Sequence, residues 1–332
     1  MPKNLEPASG QMLKEGKGRP AAEKSSDHAS STRLKIWGVR GSIPVPGHST
    51  LRYGGNTTCV EVRDEGEIIV LDAGSGARLL GIELEREFGS RPISLTLLST
   101  HAHWDHVQGL PFFLPAYKEK NEIRLWGYKG VGGDFSAILS RQMAMPFFPV
   151  RMRDLPSKLS IDELSEMEFK VGPVRVRSRF VNHPGNCVGY RLFTRAGSIS
   201  FVPDHEPYEF HKLHATAIAR ASPEQARKFA VIERRKLVEF LRESDLLMLD
   251  AQYTDEEYPQ HAGWGHGSLT TSVDLAVDAK VRKLLLFHHD PGHDDEMIDQ
   301  MVEQARQMAA RRGSNMEIEG AREGAEFFLD AK

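Results

Sequence analysis

The sequence predicts an α/β (α+β) fold in which two mixed sheets pack face to face with helices outside. Three observations carry this reading. Short β-branched segments, broken by Gly and Pro, dominate the first two-thirds of the chain in hairpin-like order. Helical spacing is interspersed among them and becomes more frequent later. No repeat of fixed period is present, and strands that follow one another without helices do not make a single parallel sheet.

Taken in order, residues 1–32 read as a disordered tail. They hold no aromatic residue and no apolar period, so they cannot bury enough surface to offset the entropy of ordering. Residues 33–332 read as one folded domain. Leu34–Val39, Thr58–Arg63 and Ile68–Asp72 are strand-like. Gly74-Ser-Gly76 is a turn, and 77–88 carries helical spacing. Ile93–Ser99 is a short apolar strand. A helix is expected over Val107–Tyr117, with Pro111 limiting its start. Ile123–Trp126, Glu168–Val171, Val174–Val181, Cys187–Phe193 and Ser198–Val202 are further strands. Ser222-Pro223-Glu224 starts a helix, a capping Ser followed by Pro at the first helical position, running to Glu243. That helix lies in a segment, 207–245, that reads as an insertion containing His211 and His214. It serves as a lid, a dimer contact or a solvated helix packed on one face. Leu246–Leu249 and Lys283–Phe287 are apolar strands with a helix near 268–279 between them. A helix near 294–312 and a strand near 325–329 close the chain.

Composition excludes several classes. At 332 residues the length prior is about two domains. A balance of 43 basic against 46 acidic residues, net −3, weakens any case for a nucleic-acid coat or an anionic-membrane binder, while leaving a local basic groove open. Two cysteines, Cys59 and Cys187, are too few for a disulfide framework or a four-cysteine zinc site. No stretch approaches about 18 consecutive apolar residues, so no membrane span is expected. The N-terminus lacks an apolar signal core, so the expected location is cytoplasmic.

The chemistry concentrates in Ser99-Thr-His101-Ala-His103-Trp-Asp105-His106. Four metal-competent side chains follow an apolar strand within six residues. In an extended segment His101 and His103 point the same way, which suits two nitrogens on one metal. Asp105 and His106 follow in a turn and can face a second metal.

This His-x-His-x-Asp-His pattern after a strand resembles the signature of the metallo-β-lactamase superfamily, whose fold is a four-layer αββα sandwich with one or two metals at the sheet edges. The resemblance covers residues 34 to 329 and requires three later ligands at strand ends. His183 in Val181-Asn-His183-Pro-Gly, Asp204 in Phe201-Val-Pro-Asp204 and His288 in Leu284-Leu-Leu-Phe-His288 occur in that order. It implies that His101, His103 and His183 hold one metal, that Asp105, His106 and His288 hold the other, and that Asp204 bridges them. His289 is an alternative to His288, and His205 is a candidate for a place behind the ligands or facing substrate. Asp72, before Ala-Gly-Ser-Gly76, matches a position that braces the metal loops.

Gly109-Leu-Pro111, Gly189-Tyr-Arg191 and Gly265-His266-Gly-Ser268 resemble ribonuclease Z and its cyclic-phosphodiesterase relatives. Gly54-Gly-Asn56-Thr-Thr58 resembles a turn of the same branch, with Asn56 either forming the turn or supporting the site. The resemblance implies that His266 acts as general acid near a scissile phosphate and that Asp250, in Leu247-Met-Leu-Asp250, orients it. An acidic strand end that is Asp departs from the Glu usual in ribonuclease Z, but the role needs only a carboxylate in hydrogen-bond reach. Two divalent cations would neutralise developing charge and activate a water, which Asp105 orients. The nitrogen-rich set favours zinc, with manganese or iron as alternatives. The extra metal that some relatives bind through added cysteines is not expected.

No Gly/Pro-rich arm and no dense basic run suited to RNA is visible. The expected substrate is therefore a small, cyclic nucleotide-like phosphodiester. Transfer-RNA 3′-end cleavage, and thioester or lactone hydrolysis on the same metal platform, are the alternatives. A homodimer is a further expectation. Trp104 and Trp264 flank the site and are read as packing residues, with stacking on a base as the alternative.

Overall fold

The computed structural model describes residues 31–129, 133–208 and 222–330. Its strands divide between two seven-stranded sheets. The first sheet begins as an antiparallel meander of β1 (Ser31–Gly38), β2 (Cys59–Asp64) and β3 (Glu67–Leu71). It continues in parallel through β4 (Ser94–Leu98), β5 (Glu122–Gly127) and β6 (Lys158–Glu163). Parallel neighbours need crossovers, and α1 (Ala77–Phe88), α2 (Trp104–Val107) and α3 (Phe135–Gln142) lie in those connections. The second sheet repeats the plan. The antiparallel strands β7 (Glu168–Val171), β8 (Val174–Phe180), β9 (Val188–Thr194) and β10 (Gly197–Val202) come first. The parallel run β11 (Leu246–Asp250), β12 (Lys283–Phe287) and β13 (Glu317–Gly320) follows. Its connections carry α4 (Pro223–Leu241), α5 (Tyr258–His261), α6 (Leu269–Asp278) and α7 (Asp295–Arg311). β14 (Glu326–Asp330) returns to pair with β1 in the first sheet.

Three apolar layers result. Ile36, Val62, Ile69 and Leu71 meet Val176, Tyr190, Phe201 and Phe287 between the sheets. Leu80 and Leu84 of α1 cover the outer face of the first sheet. Leu237 of α4, Val273 of α6 and Met301 of α7 cover the outer face of the second. In β12, Leu285 and Phe287 join the inner layer while Leu284 and Leu286 join the outer one. This two-faced burial explains why the strand reads as an unbroken apolar run. The architecture is a four-layer αββα sandwich.

The differences from the sequence reading have physical causes. The first 30 residues of the tail lie outside the described residues, but Ser31 and Thr32 open β1. Thr32 is fully buried and donates Oγ1–H to Asp64 at 2.7 Å. The expected helix 107–117 is instead α2 followed by short 3₁₀ turns at Leu110–Phe112 and Leu114–Tyr117. Pro111 and Pro115 each lack the N–H that would continue an α-helix. β6, α3 and β13 were not expected; β6 and β13 are short edge strands with few apolar residues. His211 and His214 fall outside the described residues. α4 crosses between the parallel strands β10 and β11, packs Leu237 and Phe240 on the sheet, and is held at its start by a Ser222–Gln225 capping box. Its buried side is thereby outer-layer packing. No described helix is long and apolar enough to cross a membrane.

β4 is a parallel strand of the first sheet, β10, β11 and β12 are parallel neighbours in the second, and β8 runs in the direction of those three. Their C-terminal ends lead to His101–His106, Asp204, Asp250, His288 and His183 respectively. Open α/β sheets place ligands at such strand ends, where side chains from separate loops converge.

Candidate active site

β4 ends at Leu98, and the amide of Thr100 donates to Asp72 Oδ1 at 2.7 Å. The chain then runs extended through His103, which precedes the short α2 carrying Asp105 and His106. Three groups of ligand-type atoms form among the described residues. His101, His103, His183 and Asp204 make one, Asp105, His106 and His288 a second, and Asp204, His266 and His288 a third that overlaps both. Asp204 lies between the first two. Its Oδ2 is 3.7 Å from His101 Nε2 and 3.6 Å from His183 Nε2. Its Oδ1 is 3.1 Å from His106 Nε2 and 3.5 Å from His288 Nε2.

The other ring nitrogens of these imidazoles are already engaged. His106 Nδ1–H donates to Asp72 Oδ2 at 2.8 Å, and His288 Nδ1–H donates to Gln252 Oε1 at 2.9 Å. Both imidazoles therefore present an Nε2 lone pair, and the two Nε2 atoms stand 3.3 Å apart with Asp105 Oδ2 3.1 Å from His288. His183 Nδ1–H donates to the Gly265 carbonyl at 2.8 Å, which likewise frees its Nε2. His101 Nε2 and Asp204 Oδ1 are buried without a hydrogen-bond partner. Ring nitrogens and carboxylate oxygens converging on one place fit a cation. Burial pushes the His183 imidazole down to about 3, and holds His101 and His103 below the ordinary histidine range. They are thus neutral, as ligands must be. Burial also lowers His106, but Asp204, Asp105 and Asp72 outweigh it and raise that group well above its usual value, so the carboxylates favour a positive charge at its Nε2, a proton or a metal in its place.

Asp72 serves both groups. It accepts from His106 and from Thr100 Oγ1 at 2.8 Å, and Thr100 Oγ1 lies 3.1 Å from His101 Nδ1. Asp72 and His288 both have positive φ, 58° and 61°. Strained backbone of this kind persists where surrounding structure holds it, often at functional sites. Gly41 and Gly265 allow the close approach. A Cβ at Gly41 would stand 2.4 Å from His288, and one at Gly265, whose φ is +100°, would stand 2.5 Å from His183 Nδ1.

His266 borders the cluster and is buried. Its Nδ1 lies 2.9 Å from Asp250 Oδ2, and Asp250 is fixed by the amides of His205 and Gln252, each at 3.0 Å. Burial opposes a charge on His266, but Asp250, with Asp204 and Asp105 behind it, raises the imidazole to about 9.

A model of the metallo-beta-lactamase superfamily matches residues 52–287. The chain belongs to that superfamily. It is a metal-dependent hydrolase of that fold, with clustered His and Asp ligands for divalent metal ions. The Ribonuclease Z of Lachnospira eligens is 24% identical over 281 residues, covering 77% of this chain and 86% of the relative. The metallo-beta-lactamase fold protein YhfI from Bacillus subtilis superposes with a TM-score of 0.60 at 14% identity, over 90% of this chain and 99% of that one. A diphosphatase from the PhnP family superposes with a TM-score of 0.57 at 17% identity, over 91% and 100% of the two chains.

Within this superfamily fold, several neighbours of the site sort themselves. His289 turns away, its Nε2 2.8 Å from the Ala321 carbonyl. The His205 ring is buried, accepts the Asn182 amide at Nδ1 and packs on Tyr208. Asn56 bonds Glu323 and Ser75 and so shapes its turn. Trp104 and Trp264 are 75% and 61% exposed, so the expectation that they are packing residues does not hold. Sequence reasoning missed Gln252, which orients His288. It also missed Glu206, which accepts from the Gly265 amide at 3.0 Å and Tyr258 Oη at 2.9 Å and so shapes the loop carrying His266. Gln252 stands two residues after Asp250, where an extended chain returns to the same side. Glu206 carries no such signal.

Proposed function

We propose that the chain is a dinuclear phosphodiesterase acting on a small or cyclic nucleotide-type diester. The observation that carries this is the division of Asp204, one oxygen towards His101 and His183 and the other towards His106 and His288. In this reading His101, His103, His183 and Asp204 hold one metal, and Asp105, His106, His288 and Asp204 the other. Zinc suits the nitrogen-rich set, with manganese or iron as alternatives. Two such cations supply charge neutralisation at the phosphoryl group and a water acidified into the neutral range.

The chain's own residues do the rest. Asp105, fixed by the Ser42 amide at 2.8 Å, orients the attacking water. His266 gives its Nε2 proton to the leaving oxygen. Asp250 holds the Nδ1 side, selecting the tautomer and stabilising the cation before transfer. A thioester leaving group needs no such acid, so the His266–Asp250 pair favours a phosphodiester. The likeness to a Ribonuclease Z over 77% of the chain supports a second reading, RNA 3′-end cleavage.

The test is turnover of bis(p-nitrophenyl) phosphate by zinc- or manganese-loaded protein, with Asp105→Ala as control. Cyclic nucleotides are then compared with a precursor transfer RNA. Turnover absent in protein that holds two metals shifts the reading to thioester or lactone hydrolysis.

A further inference from the structure

One edge of the first sheet is open. β6 pairs with β5 alone and ends the sheet on that side. Lys158 and Leu164 donate their amides to the carbonyls of Asn121 and Gly127, on the β5 side. Alternation along the strand therefore turns the peptide groups of Leu159 and Ile161 away from β5. Among the described residues, both carbonyls and the Ile161 amide lack a hydrogen-bond partner, and the Leu159 amide meets only the Ser157 carbonyl at 2.9 Å. A row of such groups is a template for another strand. β6 carries no Pro that would block one.

The strand Lys158-Leu-Ser-Ile-Asp-Glu163 is complementary to itself. A two-fold axis through Ser160, perpendicular to the sheet, sets a second copy antiparallel to the first. Lys158 then faces the partner's Asp162, Leu159 faces the partner's Ile161, and Ser160 faces the partner's Ser160. The register agrees with the backbone. Leu159 and Ile161 turn their peptide groups outward, so each such pair can exchange both N–H···O bonds, while Ser160 sits at a non-hydrogen-bonded position on the axis. It agrees with the charges as well. Lys158 and Asp162 are exposed, and neither has an ion pair among the described residues. In β14, at the sheet's other edge, the same operation about Phe328 sets Glu326 against Asp330.

We propose that two copies of this chain associate through β6, joining their first sheets into one across a two-fold axis at Ser160. Strand addition draws affinity from main-chain bonds and specificity from the facing side chains. Unmatched charges on an edge discourage a foreign strand; a second copy matches both.

The experiment is sedimentation of the full chain from micromolar to submillimolar concentration, where a monomer–dimer equilibrium is expected. Ser160→Cys tests the register. Directly opposed residues of a non-hydrogen-bonded pair stand about 4.5 Å apart at Cα, within disulfide reach. Mild oxidation should convert this variant to a covalent dimer on a non-reducing gel. Lys158→Cys, about 14 Å from its own copy along the strand, should not cross-link. Cys59 and Cys187 are buried and do not compete. Lys158→Asp opposes two carboxylates at each end of the contact and should raise the dissociation constant about tenfold or more. Adding Asp162→Lys reverses both pairs and should restore association. All three positions are exposed, so the substitutions do not threaten the fold. A monomer at every concentration overturns the proposal. A dimer that Lys158→Asp leaves unchanged, or that Lys158→Cys cross-links as readily as Ser160→Cys, also overturns it and assigns the contact to another face.

Discussion

Replacing Gln252 with Leu should weaken one metal site and leave the other intact. The His288 ring is fully buried, and Gln252 Oε1, at 2.9 Å, is the acceptor for its Nδ1–H. Leu keeps most of the volume but removes that acceptor. A buried donor left unpaired costs about 1–3 kcal/mol. The ring can escape the penalty by rotating, but rotation takes Nε2 away from Asp105 and His106. Either route is charged to metal binding at the Asp105–His106–His288 group, a loss of roughly 5- to 150-fold in affinity at 1.4 kcal/mol per tenfold. Support groups behind other metal ligands give losses of about 10- to 100-fold. The His101–His103–His183 group does not contact Gln252, and its orienting partners are Thr100 and Gly265. A two-site competition titration with a chromophoric zinc chelator should therefore show one affinity falling and one unchanged. Gln252→Glu restores an acceptor for Nδ1–H but replaces the amide that donates to Asp290 Oδ2 at 3.0 Å with a second carboxylate, so only part of the lost affinity should return. Two unchanged affinities, or two that fall together, would refute the argument that Gln252 acts through His288 alone.

Other outcomes follow from the same geometry. His103→Ala should lose metal and turnover together, measured by metal analysis alongside the p-nitrophenyl assay. His266→Ala should keep its metal yet slow the cleavage of diesters with alkyl leaving groups by about 10²–10⁴-fold, with a smaller loss on p-nitrophenyl esters; an unchanged alkyl rate removes His266 from the acid role. Gly265→Ala places a Cβ 2.5 Å from His183 Nδ1 on a backbone of φ +100°, so metal affinity and melting temperature should both drop. Arg40→Met leaves the carbonyls of Gly54, Asp290 and His293 without the buried guanidinium. At about 1 kcal/mol each, unfolding should be easier by about 3 kcal/mol in a urea titration.

Much of the molecule was legible because the determinants are local. The apolar run before Ser99 and the alternation of His101 and His103 place two imidazoles on one side of an extended chain, whatever lies around them. The Ser222–Pro223 start of α4 is written in adjacent residues. His183, Asp204 and His288 could be ordered along the chain by resemblance, each after an apolar strand. That Asp204 sends its two oxygens to different groups is a fact of two sheets packed face to face, and no spacing encodes it. The same holds for Gln252 behind His288, for Glu206 under the His266 loop, and for Gly41, whose missing Cβ makes room for a ring 247 residues away. Trp104 shows the limit most plainly. Its neighbours in sequence are ligands, so packing near the metals was the expectation, yet its side chain stands 75% exposed. Local sequence determines which way the chain can turn and which atoms it offers. Which of those atoms meet, and which are left in water, is decided only when distant strands pack and their loops compete for the same few ångströms.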